Sequence, residues 1–160
     1  MNLSTKIAAA VDQLPRDSQF PREVSAEDAG HALTLNLASA GPVGLAFSTL
    51  RYNGPGPDAR TPDELHAWAG RIASRVTYLM EPLVVLEHDR EAGELEMRSQ
   101  APTVRQGRRA FYEVRLRADG SLSLGRVVYD EAARARQDVP SQMTLEVLER
   151  LADDLVAAAG

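Results

Sequence analysis

The 160-residue chain has no cysteine, a single lysine and few aromatic residues, 5% in all. Without cysteine there is no disulfide, no thiolate nucleophile and no Cys-ligated zinc. A cross-linked secreted scaffold is therefore not the expected architecture. Cross-links are also unnecessary here, because a domain of about 150 residues buries roughly two-thirds of the surface its unfolded chain exposes. Long apolar runs are missing as well, and nothing approaches the ~18 residues of a membrane span. The N-terminal stretch "MNLSTKIAAAVDQLP" breaks its short apolar run at Asp12, too soon for a signal peptide. The expected compartment is the cytoplasm, with no membrane contact.

Catalytic signatures are absent too. There is no Walker A loop, no G-x-S-x-G elbow and no H-E-x-x-H pair. The glycine- and proline-rich "NGPGPDAR" at 53–60 lacks the Gly-Lys-Ser/Thr ending of a phosphate loop. Its two prolines also remove backbone N–H donors that a phosphate cradle needs. It reads as a mobile connector. The three histidines, His31, His66 and His88, fall in different elements. "EHD" at 87–89 has metal-ligand chemistry, but on a strand Glu87 and Asp89 face away from His88. No catalytic residue, metal or cofactor is assigned, and an enzyme with a dispersed acid–base site is the least favoured reading.

What the chain does have is an ordinary globular composition, 44% apolar and 26% charged, with a net charge of −5. An acidic balance argues against nucleic-acid binding. The charge is uneven. Residues 98–136 hold nine arginines against four acids, a net +5, which leaves −10 on the rest.

Periodicity then gives the elements. Leu3, Ile7, Val11 and Leu14 predict a helix stopped by Pro15. Residues 15–30 read as a surface connector. Leu33, Leu35 and Leu37, then Val43, Leu45 and Phe47, predict a hairpin turning at "SAGP". Gly44 and Ala46 leave room for close approach of another backbone. Thr61, Pro62 and Glu64 are three agreeing start signals for a helix reaching to Glu81 and Pro82. Its stripe of Leu65, Trp68, Ile72, Val76 and Leu79 accounts for the only tryptophan by packing. Residues 83–100 form a second hairpin, with the unbroken apolar run Leu83–Leu86 read as a central strand covered on both faces. The third hairpin turns at "RADGS". A left-handed Gly120 pairs Leu116 with Leu122 and Val114 with Leu124, which puts the apolar residues on one face. Arg126 then falls at the end of that apolar face without explanation. A last helix begins at Ser141 or Thr144 and runs to Ala158, with an apolar face over Leu145–Val156 and an acidic one.

The expected fold is one α+β domain, residues 1–160, with 15–30 and 53–60 as connectors. It has an antiparallel sheet of about six strands built from three hairpins, with N-terminal, central and C-terminal helices packed on it. Two functions fit. The first is a non-enzymatic protein-interaction or chaperone-like module, similar in kind to the small acidic chaperones of bacterial secretion systems, which are usually dimers. That resemblance rests on composition and element order, and no motif carries it. It implies another protein, or a second copy of the chain, as partner. The candidate contact residues are Trp68, Leu145, Leu148 and Leu155, with Arg115 and Arg117 of the basic hairpin. The second is an apolar-ligand binder in which the sheet grips the last helix, with Tyr112, Met97 and Arg126 lining a pocket.

Overall fold

The computed structural model describes residues 1–160. Helix α1 (Leu3–Asp12) starts on an Asn2 cap whose side chain accepts from the Thr5 N–H. Three strands follow: β1 (Arg22–Asp28), β2 (His31–Ala40) and β3 (Leu45–Asn53). Helix α2 (Pro62–Arg75) opens on the capping box read from Thr61 and Glu64. It ends earlier than predicted. Val76 leaves the helix with an extended ψ of 83°, where β-branched Val76 and Thr77 weaken helical propensity. Val76 and Leu79 still reach the core from the following loop.

The chain then enters β4 (Leu83–Asp89), β5 (Glu94–Ser99), β6 (Thr103–Arg105), β7 (Arg108–Arg117), β8 (Ser121–Asp130), β9 (Ala135–Val139) and β10 (Ser141–Met143), and closes with α3 (Leu145–Ala158). All strand pairs are antiparallel, in the order β1-β2-β3-β8-β7-β5-β4, with β6, β9 and β10 attached to β7, β8 and β3. The class and the three helices are as predicted. The sheet has ten strands rather than about six. Strand β1 lies inside the expected connector and is an edge strand, with Val24 and Ala26 turned to the core and Glu23, Ser25 and Glu27 alternating with them. Strands β6, β9 and β10 are three to five residues long, too short to leave a periodic signal.

All three helices pack on one face. Residues of α1, α2 and α3 join Leu33, Leu35, Leu50, Val114 and Leu124 in a single core of 30 buried residues. The β7–β8 register is the one selected by the buried face, Leu116 opposite Leu122 and Val114 opposite Leu124, with Gly120 at φ +89°. The predicted close approach at Gly44 is also present. A Cβ there would lie 2.6 Å from the Met143 carbonyl oxygen, where β10 pairs with β3. The 53–60 connector is tied down at its end. Arg60 donates its N–H to Ala118 O at 2.8 Å and sets its guanidinium 5.2 Å from the Trp68 ring centre. No helix is long and apolar enough to cross a membrane.

Candidate functional site

Helices cover one sheet face, and alternation sends the other set of side chains to a face that no helix covers. On β7 these are Arg109, Phe111, Glu113, Arg115 and Arg117, beside Glu94, Glu96 and Arg98 of β5 and Val127 and Tyr129 of β8. Phe111, Val127 and Tyr129 thus stand on a face that no helix covers. The cover is arginine. The Arg98 guanidinium lies 4.3 Å from the Phe111 ring centre, and Arg98 is held to Glu96 at 3.3 Å. Across the hairpin, Arg136 of β9 stands opposite Tyr129 and pairs with Glu113 at 2.7 Å.

Together these side chains border an open groove of about 480 Å³, lined by Arg98, Arg109, Arg136, Phe111, Tyr129 and Gln100 among others. Tyr129 of the lining is 36% exposed, and Val104, opposite Arg109 on β6, is 65% exposed. Three cations and two ring faces meet here; no carboxylate lines the groove itself, but each cation has one behind it, Glu96 for Arg98, Glu113 for Arg136 and Glu131 for Arg109. Ser99 also borders it but offers no nucleophile. Its side chain is fully buried, donates to Glu81 at 2.7 Å and accepts from the Tyr112 N–H at 2.7 Å.

That bond leads to the residue the sequence left unexplained. Arg126 sits on the core side of β8, opposite Tyr112, with its guanidinium 4.6 Å from the tyrosine ring. Its counter-charge is Glu81, 3.7 Å away in the loop after α2, and Arg126 and Glu81 are only 12% and 7% exposed at the side chain. Glu81 also accepts from Thr103 at 3.0 Å. The cluster locks the loop after α2 onto the inner end of β7 and β8. Burial is the main cause that raises the Tyr112 hydroxyl pKa, and the Arg126 charge opposes it.

The other sequence candidates are spread out. Trp68, Leu148 and Leu155, at 2%, 0% and 1% exposure, are core residues within one chain. Leu145 is half-buried and borders a groove with Val11, Leu14 and Phe20. Arg115 and Arg117 lie on the uncovered face, tied to Glu113 and Glu94 at 3.1 Å each. Met97 and Tyr112 are buried in the same core, and no larger cavity is lined by Tyr112, Met97 or Arg126. The basic hairpin does not meet the acidic face of α3 within the chain. Its arginines pair inside the sheet, while Asp154 of α3 accepts from Tyr78 at 2.7 Å.

His88 faces α2 and stacks on His66 at 6.1 Å, while Glu87 and Asp89 border a groove of the uncovered face. No group of three or more histidine or carboxylate side chains converges as a metal site would.

Strand β4 also departs from expectation. Leu83–Leu86 is not a covered central strand. It is the free edge of the sheet, and Val84, Val85 and Leu86 are 37%, 38% and 42% exposed. Comparison with protein-family models, curated proteins and solved structures finds no significant match, so function must be argued from these surfaces.

Proposed function

We propose that this chain is a non-enzymatic protein-interaction module, chaperone-like in that it holds an extended acidic segment of a partner protein on its uncovered sheet face. The groove between Arg98, Arg109 and Arg136 is the observation that carries the reading. Arginine forks suit carboxylates, and the exposed Tyr129 and Val104 supply apolar contact beside them. The partner is acidic because three arginines of the basic segment gather at this end of the sheet. The solid core under the helices supports a surface binder over a domain that encloses an apolar ligand.

The test is fluorescence anisotropy with a labelled ten-residue peptide of Asp, Glu and Tyr. Binding should weaken steeply as salt rises, and Arg109→Glu should abolish it. Absence of binding at low salt, or equal binding by Arg109→Glu, would sink the reading. An anionic small molecule is the second reading, because the groove's volume falls in the range of about 300–1,000 Å³ typical of ligand pockets. Displacement of the peptide by inorganic pyrophosphate, beyond what chloride achieves at equal ionic strength, would favour it.

A further inference from the structure

We infer that the free edge of β4 and the adjoining face of α2 form a two-fold interface with a second copy of this chain. This deepens the interaction-module reading and rests on it.

The two edges of the sheet differ in kind. Strand β1 presents Arg22, Glu23, Glu27 and Asp28, the charges that keep an exposed strand from pairing with another chain. Strand β4 keeps its charges at one end and leaves Val84, Val85 and Leu86 open, with Met80 71% exposed just before it. An apolar free edge is a template for strand addition.

The sequence of β4 suits itself as partner. Antiparallel self-pairing centred on Val85 sets Val84 opposite Leu86 and Leu83 opposite Glu87, with no two like charges facing each other. The next pair would be His88 with Pro82, which has no N–H to give, so the ladder stops there. The bulge between Val85 and Glu87 also limits pairing on this edge to a short ladder. A short ladder about a two-fold closes on itself and does not grow into a filament.

Helix α2 supplies the second half. It runs antiparallel to β4, with Asp63 against Arg90 at 3.3 Å and His66 stacked on His88. It lies over β4 and β5, close to the edge. Joining two sheets edge to edge at about 4.8 Å per strand would bring the two α2 axes to roughly 10 Å, the upper end of helix-packing distances. The residue one turn beyond His66 on that face is Gly70, which is exposed and whose added Cβ would meet nothing within 4 Å. No requirement within the monomer explains a glycine in mid-helix. A second helix passing close by does, and Ser74 continues the small face.

The experiment is light scattering and sedimentation over a hundredfold dilution, on the wild type, Leu86→Glu and Gly70→Leu. The wild type should hold a mass near twice the 17.4 kDa chain. Each variant should weaken association at least tenfold with the helical circular-dichroism signal unchanged. If Leu86→Glu fails to fold, Gly70→Leu still decides, because its side chain projects into open space in the monomer. A wild-type monomer at every concentration overturns the inference. So does a dimer that both variants leave intact, since its interface would lie elsewhere. Titrating the acidic peptide into the same samples separates the two proposals. A monomer that binds peptide removes this interface and keeps the module, whereas a dimer that ignores peptide does the reverse.

Discussion

Arg126 and Glu81 hold opposite charges in an almost dry corner of the core, and each makes sense only through the other. The 3.7 Å separation is an ion pair without a hydrogen bond, so Glu81 satisfies its oxygens through Ser99 and Thr103 instead. Removing one partner should therefore hurt more than removing both. Glu81→Ala leaves a buried guanidinium uncompensated and should cost about 3 kcal/mol. Glu81→Ala with Arg126→Met should cost less than the two single changes added together, as a denaturant double-mutant cycle would show. The sequence shows Arg126 as an anomaly of register, but its partner lies 45 positions earlier in a loop, and no local pattern points there. Tyrosine gives the residue scale a second test. Burial pushes the Tyr52 hydroxyl up to about 12, with the Arg60 charge opposing. Burial and the bond to Asp154 push Tyr78 up as well. An unfolded tyrosine ionises near 10, so the stability tied to these protons is fully present below that pH. It is lost as pH rises from about 10 toward 12, by up to about 1.4 kcal/mol per pH unit for each tyrosine. Denaturation midpoints measured between about pH 9 and about pH 11.5 should fall, and Tyr52→Phe should flatten that fall.

Helix α2 and strand β4 show what element-level patterns reveal and what they conceal. The capping box, the apolar stripe and the β7–β8 register were legible because each depends on residues a few positions apart. The same locality misled at β4. Four consecutive apolar residues describe a strand buried on both faces or one waiting for a partner, and only topology separates the two. The order β7-β5-β4 puts the run at the rim. The groove was hidden for a similar reason. Its three arginines come from β5, β7 and β9, and β9 gave no sequence signal. Two glycine substitutions test this scale in opposite directions. Gly70→Ala adds a methyl to open space in an exposed helix and should stabilise the isolated chain by about 1 kcal/mol, read from its denaturation midpoint. Gly44→Ala drives a Cβ against the Met143 carbonyl and should destabilise by roughly 1–3 kcal/mol while loosening β10, which amide exchange at Ser141–Met143 would report.

Taken whole, the molecule has a helix layer that includes the acidic face of α3, an uncovered sheet face on which arginines and carboxylates pair, and one apolar rim along the free edge of β4. Charge alone does not make that rim an interface; its energetic signature would. Folding of a chain whose rim is paired is linked to its concentration, because the folded state associates and the unfolded state does not. Each tenfold rise in protein adds about 1.4 kcal/mol to the stability of a two-chain unit. Spread over the unfolding entropy of two such chains, that is a rise of roughly 2 °C in melting temperature. The wild type should show this slope across two decades of concentration in scanning calorimetry. Leu86→Glu should melt at a temperature independent of concentration, near the wild type's value at extreme dilution. A flat wild-type slope with an intact fold would mean that Val84, Val85 and Leu86 stay exposed in solution. The rim would then be left open for the partner protein's own strand, beside the groove that Arg98 shares with Phe111.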